Sequence, residues 1–151
     1  MNDPSHTPHA TPVHYPRVLS IAGSDSGGGA GIQADLKTFG ALGCYGMTAI
    51  TAVTAQNTLG VRAIHALPAD MLAAQIEAVL EDIGVDAVKI GMLHSPELVR
   101  VVAQAIQKFK LQRVVLDPVM VATSGDRLIA ADTMAVLVNE LFPLVSLVTP
   151  N

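Results

Sequence analysis

The chain has 151 residues, 50% of them hydrophobic and 15% charged, with a formal net charge of -4 at pH 7 and no Trp. This excludes a disordered chain and a basic surface for nucleic acid, and it allows one domain with a real core. The single Cys44 cannot make an intrachain disulfide, no apolar run reaches membrane-spanning length, and the N-terminus lacks the pattern of a secretory signal. A cytoplasmic protein with no nucleic-acid or membrane partner is therefore expected.

Residues 1–16, "MNDPSHTPHATPVHYP", are rich in Pro, His and Thr without periodicity and are predicted to be a disordered tail, with the domain running over 17–151. His6, His9 and His14 are read as part of that solvated tail, not as a metal site, because nothing fixes their geometry. "RVLSIAG" is a short apolar run ending in Gly, the pattern of a buried strand. Ile32, Leu36 and Phe39 then recur at helical spacing, with Gly43 as the stop. "MTAITAVTAQN" is β-branched and reads as the next strand, and "VRAIHALP" as a further short one. "PADMLAAQIEAVLEDIG" puts Leu72, Ile76, Val79 and Ile83 on one helical face between Pro68 and Gly84. "VDAVKIGM" is a strand. "SPELVRVVAQAIQKF" is a helix with Ser95 as N-cap and Pro96 at its first position. "RVVLDPVM" is a strand, "AADTMAVLVNELF" a helix and "VSLVTPN" a strand.

Strands alternating with helices of three to four turns predict βαβ units and a mainly parallel sheet covered on both faces, an α/β fold. Ligands of such sheets bind at the carboxyl ends of the strands. Those ends carry Gly23-Ser24-Asp25, Gln56-Asn57, Gly91-Met92, Asp117-Pro118-Val119 and Thr149-Pro150-Asn151, all expected on one edge.

The glycine stretch "AGSDSGGGAGIQAD" narrows the chemistry. Gly29 to Ala34 match the G-x-G-x-x-A dinucleotide pattern, but the next predicted strand ends in "TAQN", without the acid that would hold a ribose. No Lys-Ser or Lys-Thr pair follows the glycines, so they are not a Walker-type phosphate loop. Gly27 to Gly31 instead allow close approach of a flat ligand to bare backbone and let the loop flex as a lid. Asp35, one turn into the helix, is aimed back towards the strand ends by the N-terminal tilt of helical side chains. It is either an acceptor for an amine or ring N–H of a heterocycle, or a surface acid stabilised near a helix N-terminus. Gln56 offers both a donor and an acceptor. Lys89, inside a strand, is expected in a structural ion pair more than on a phosphate. His65 is read as a partly exposed strand residue.

"AGSDSGGGAGIQADLKTFGALGCYGMTAITAVTAQNTLGV", "VKIGML", "VVLDPVM" and "SLVTPN", in this order from about Val18 to Asn151, resemble the hydroxymethylpyrimidine/phosphomethylpyrimidine kinases of the ribokinase superfamily. The resemblance implies a ribokinase-like three-layer α/β/α fold with a mainly parallel central sheet. It also implies transfer of the ATP γ-phosphate to 4-amino-5-hydroxymethyl-2-methylpyrimidine and then to its monophosphate, in thiamine biosynthesis. By position it assigns Gly23, Ala30, Asp35, Gln56, Met92 and Val119 to the pyrimidine pocket, Asp117 to the phosphates and Mg²⁺, and Asn151 to the start of an Asn-x-x-Glu phosphate motif. Family members continue beyond this point with a Gly-Thr-Gly-Cys-type loop that carries the catalytic base. The chain is therefore expected to be a C-terminally truncated, N-terminal part of the kinase, without catalytic residues of its own and unable to turn over alone. Cys44, outside the matching motif, is read as a small packed hydrophobe and not as that base. A pyridoxal or pyridoxine kinase of the same fold and a non-catalytic aminopyrimidine-binding module are the alternatives. Members of the superfamily are often dimers, and a homodimer using the "VRAIHAL" strand is compatible with the sequence.

Overall fold

The computed structural model describes residues 14–119 and 130–149. Most of the expected tail, and Asn151, lie outside these residues. The elements run β1 (Arg17–Ala22), α1 (Gly31–Ala41), β2 (Tyr45–Ile50), β3 (Ala52–Asn57), β4 (Gly60–Ala66), α2 (Ala69–Asp82), β5 (Ala87–Ile90), α3 (Pro96–Phe109), β6 (Val114–Leu116), α4 (Ala131–Val136) and β7 (Leu147–Val148). Five strands form one sheet in the order β2-β1-β5-β6-β7, and every pairing in it is parallel. β3 and β4 form a separate antiparallel hairpin.

The period-2 alternation of the strands decides what lies on each face. Leu19, Ile21, Met47, Ala49, Val88, Ile90, Val114 and Leu116 go to one side, where they share a single apolar core with Leu72 and Ile76 of α2 and Leu98, Val99, Val102 and Ile106 of α3. Ser95 caps α3 as the sequence predicts: its hydroxyl accepts from Leu98 N at 3.5 Å, and Pro96 follows. The other side carries α1. There Gly46 lets the helix approach β2, since a Cβ at that position would fall 2.8 Å from Leu36 Cδ2 and 3.2 Å from Phe39 Cδ2. Among the described residues α1 covers this face alone, so the Ile32, Leu36, Phe39 stripe is buried only at Ile32, and Leu36 stays 37% exposed. At the amino edge of the sheet, Arg17 joins β1 to the turn before β5 through a 2.9 Å ion pair with Asp86. The Arg17 guanidinium and backbone N–H hold the Asp86 carboxyl well below the usual carboxylate range.

Two elements differ from expectation. The run "MTAITAVTAQN" is two strands in two sheets. Thr51 is the break: its N–H donates to Ala22 O at 3.0 Å and its hydroxyl to Met92 O at 3.0 Å, which pins the chain to the main sheet before it departs as β3. The helix expected over "AADTMAVLVNELF" is α-helical only to Val136 and continues as a π-helical turn, Leu137–Leu141, and a 3-10 turn, Phe142–Leu144, led into by the proline at 143.

The close α1–β2 contact gives a first prediction. Gly46→Val should lower the unfolding free energy by about 1–3 kcal/mol through overpacking against Leu36 and Phe39, measured by urea denaturation.

Candidate active site

The chain passes from β1 through α1 to β2 on one side of β1, and then places β5 on the other. The reversal at β1 and β5 is the topological switch point at which open parallel sheets bind ligands. A cavity of about 570 Å³ opens there, within the size range of small-molecule sites. Its floor is made by Ala22 and Gly23 at the end of β1, Gly91 and Met92 after β5, and Asp117 and Val119 after β6. One wall is the glycine loop and the first turn of α1, with Ala30, Gly31 and Asp35. The opposite wall is the β3–β4 hairpin, with Thr54, Gln56, Val61 and Ile64. Every sequence-predicted site residue within the described range, Gly23, Ala30, Asp35, Gln56, Met92, Val119 and Asp117, lines this one cavity.

Gln56 reaches it by a different route from the one expected. It is not at the end of a sheet strand but on the hairpin, next to a β-bulge between Ala55 and Gln56. Thr54 and Gln56, two residues apart, both line the cavity, while Val53 and Ala55, at the alternate positions, are exposed.

The glycine loop is organised by Asp25, which the sequence places at a strand end without marking this role. Its carboxylate is 5% exposed and accepts from Gly27 N at 2.8 Å, Gly29 N at 2.9 Å and Ala30 N at 2.8 Å. Its own N–H donates to Gln33 Oε1 at 2.7 Å. Burial pushes the carboxyl up, but the N–H groups of Gly27, Ala30, Gly29 and Gly28 outweigh it and hold the group below its ordinary value. The loop amides that a phosphate would need are thus occupied from within, in keeping with the missing Walker and dinucleotide signatures. The signal was present in sequence as Ser-Asp-Ser-Gly-Gly-Gly, an Asx-turn composition. Gly31, at φ +55, starts α1 where any Cβ would overlap the carbonyl of Gly23.

The loop is also stitched to the hairpin. Ser24 N donates to Ala52 O at 2.8 Å, and Thr54 Oγ1 to Ser24 O at 2.8 Å. Thr54 N donates to Ser24 Oγ at 2.9 Å, and Gln56 N to Ser26 Oγ at 2.7 Å.

Asp35 does point back to the strand ends. It is 14% exposed, pairs with Lys89 Nζ at 3.1 Å, and accepts from Ser20 Oγ at 2.6 Å. Lys89 is accordingly in the ion pair expected of it, and it too lines the cavity. Asp117 Oδ1 is buried and finds no hydrogen-bond partner among the described residues. His94 Nδ1 is likewise buried and unpartnered, but His94 does not line the cavity, and burial lowers its pKa so that the ring is neutral near pH 7. His65 is an exposed residue of β4, and Cys44 is half-buried beyond α1, away from the cavity. Among the described residues no helix is long and apolar enough to cross a membrane, and no group of three or more His, Cys, Asp or Glu could hold a metal.

The described residues that the family resemblance assigns to the pyrimidine pocket thus line one glycine-walled cavity at the switch point, and comparison with known proteins bears out the family. The phosphomethylpyrimidine kinase family model matches residues 25–151. The chain belongs to the phosphomethylpyrimidine kinase family. It is 58% identical over 134 residues to the hydroxymethylpyrimidine/phosphomethylpyrimidine kinase of Rhizobium meliloti (strain 1021), covering 89% of this chain and 50% of that protein. The crystal structure of phosphomethylpyrimidine kinase from Clostridium difficile 630 superposes with a TM-score of 0.85 at 51% identity, over 90% of this chain and 59% of that one. The ADP complex of Bacillus subtilis pyridoxal kinase superposes at 0.81 and 39% identity, over 91% of this chain and 52% of that one. The fold is therefore the ribokinase-like one of these vitamin kinases, and the chain spans about half the length of the relatives it matches.

Asp25 gives the second prediction. Asp25→Asn should cost about 1–3 kcal/mol of stability at neutral pH, because one amide oxygen cannot accept from all three loop N–H groups. The sign with pH follows from the lowered carboxyl: its contribution is complete above the ordinary value near pH 4 and is lost as pH falls through the lower folded value. The difference in unfolding free energy between wild type and Asp25→Asn should therefore shrink on acidification below about pH 4, as measured by denaturation at a series of pH values.

Proposed function

We propose that the protein carrying this chain phosphorylates 4-amino-5-hydroxymethyl-2-methylpyrimidine from ATP, and then the resulting monophosphate, in thiamine biosynthesis. The observation that carries the reading is the cavity's chemistry: apolar side chains and glycine backbone together with the Asp35 carboxylate and the Gln56 amide line one space that has room for a ring. An aminopyrimidine offers a flat apolar ring with an exocyclic donor and ring-nitrogen acceptors, which those two groups complement. Met92 and Val119 give apolar contacts to the ring and its methyl group, while Gly23 and Ala30 let backbone approach the ring closely.

On the nucleotide side, Asp117 supports the reading through its buried, unpartnered oxygen. A hard carboxylate oxygen suits Mg²⁺, which commonly takes one or two carboxylates together with substrate phosphates. Asp117 would hold the ion or its waters, and the bound Mg²⁺ would neutralise charge on the polyphosphate. The role of Asn151 rests on the resemblance alone, since that residue lies outside the described range. What the described residues contribute is binding and orientation: they hold the ring at the carboxyl edge of the sheet, with its hydroxymethyl group free to face the nucleotide.

Vitamin B6 compounds are the competing substrates, favoured by the similarity to a pyridoxal kinase. Calorimetric titration of the protein expressed from its native gene should give tighter binding of the aminopyrimidine than of pyridoxine. Gln56→Ala should weaken the aminopyrimidine by about tenfold by removing a partner of its polar edge. Clearly tighter binding of pyridoxine by the wild type would overturn the pyrimidine reading.

A further inference from the structure

Lys89 sits in β5, which is flanked on both sides by other strands of the sheet. A charged side chain is rarely placed there unless it is paired. It lies on the α1 face, in register with Ser20 of β1, and both side chains meet the one carboxylate that α1 sends down between them. Lys89 Nζ lies 3.1 Å from Asp35 Oδ1 and 3.2 Å from Oδ2, and Ser20 Oγ lies 2.6 Å from Oδ2. Gly91, the next residue on this face, keeps the space beside the ammonium clear: a Cβ there would fall 3.3 Å from Nζ and 2.9 Å from Ala22 Cβ.

A carboxylate accepts along about four lone-pair directions. Lys89 and Ser20 both hydrogen-bond to Oδ2, while Oδ1 has only the ion-pair contact with the Lys89 ammonium. Among the described residues Oδ1 accepts no hydrogen bond, which leaves it for a donor in the cavity that Asp35 lines. The side chain of Gln56, by contrast, has among the described residues only a 3.5 Å contact from Thr54 Oγ1 to its Oε1, so its amide is free to turn to the ligand.

We propose that Lys89 and Ser20 are positioning residues, which hold Oδ2 of the Asp35 carboxylate so that Oδ1 is presented to an N–H donor of the bound ring. Lys89 therefore acts through Asp35 and does not itself hold a substrate phosphate. The inference rests on the reading of the cavity as a ring-binding site and adds to it which residues set its polarity.

The test is a double-mutant cycle on ligand affinity, run on the protein expressed from its native gene. The ligand is whichever of the aminopyrimidine and pyridoxine binds the wild type more tightly. Lys89→Met, Ser20→Ala and Asp35→Asn are combined in pairs, and melting temperature is followed in parallel. Lys89→Met and Asp35→Asn should each weaken the ring ligand by about tenfold or more, and Ser20→Ala, the mildest change and the one retained if Lys89→Met does not fold, by a smaller factor. Each of Lys89→Met and Ser20→Ala should have almost no further effect in the Asp35→Asn background. Additive losses would overturn the proposal, because the residues would then act independently of Asp35.

A second arm compares the hydroxymethyl compound with its phosphate ester. Equal loss for both in Lys89→Met supports a positioning role. A loss at least tenfold larger for the phosphate ester would make Lys89 a phosphate ligand and overturn it. Tighter binding of pyridoxine by the wild type sinks the pyrimidine reading while leaving the cycle to decide on Lys89. Binding of neither ring overturns both.

Discussion

The architecture of the site depends on one buried carboxylate. Asp25 gathers the N–H groups of Gly27, Gly29 and Ala30, and in doing so turns the chain sharply between β1 and α1. That turn sets where α1 begins, and Gly31 allows it to begin against the Gly23 carbonyl. The start of α1 then fixes where Asp35 falls, one turn later, over the ends of β1 and β5. A chain of local geometry thus runs from a carboxylate that faces its own loop to a second carboxylate that faces the cavity. Two acids ten positions apart have opposite tasks, and burial with three N–H donors separates the first from the second.

The two faces of the sheet divide the labour. The side covered by α2 and α3 holds the large aliphatic residues and supplies most of the apolar burial, the main favourable term in folding. The α1 side is smaller in side-chain volume and more polar, with Ser20, Gly46 and Lys89 facing the helix. Polar groups can be kept there because they satisfy one another, and their position directly below the carboxyl edge brings their charge to the cavity. The same parallel register that gives the core its alternation therefore lines up Ser20 and Lys89 beneath Asp35.

Much of this was legible in the sequence where the signal is local. The cap at Ser95, the stripe of Leu72 and Ile76 and the strand ends Gly23, Met92, Asp117 and Val119 follow from composition and spacing, and the structure brings those ends to one cavity. The direction of Asp35 followed from the tilt of helical side chains. What was not legible depends on distant partners. Nothing in "MTAITAVTAQN" marks Thr51 as the break, because the groups that pin it belong to Ala22 and Met92. Lys89 could be expected in an ion pair, but its partner lies 54 positions away on another element. The organising role of Asp25 is hidden for a different reason: among glycines it reads as an ordinary strand-end residue, and only the three-dimensional turn makes it the centre of the loop. The bulge that leads into Gln56 is equally invisible in a run of β-branched residues.

The serine stitches between the loop and the hairpin have a mechanical consequence. The hydroxyls of Ser24 and Ser26 accept from the backbone N–H groups of Thr54 and Gln56 where a neighbouring strand would offer its carbonyls, so β3 is held to the loop almost as if the loop were a third strand. The two opposite walls of the cavity are therefore not independent flaps. They are the two arms of a single clasp joined at its back, and whatever spreads one arm pulls on the other.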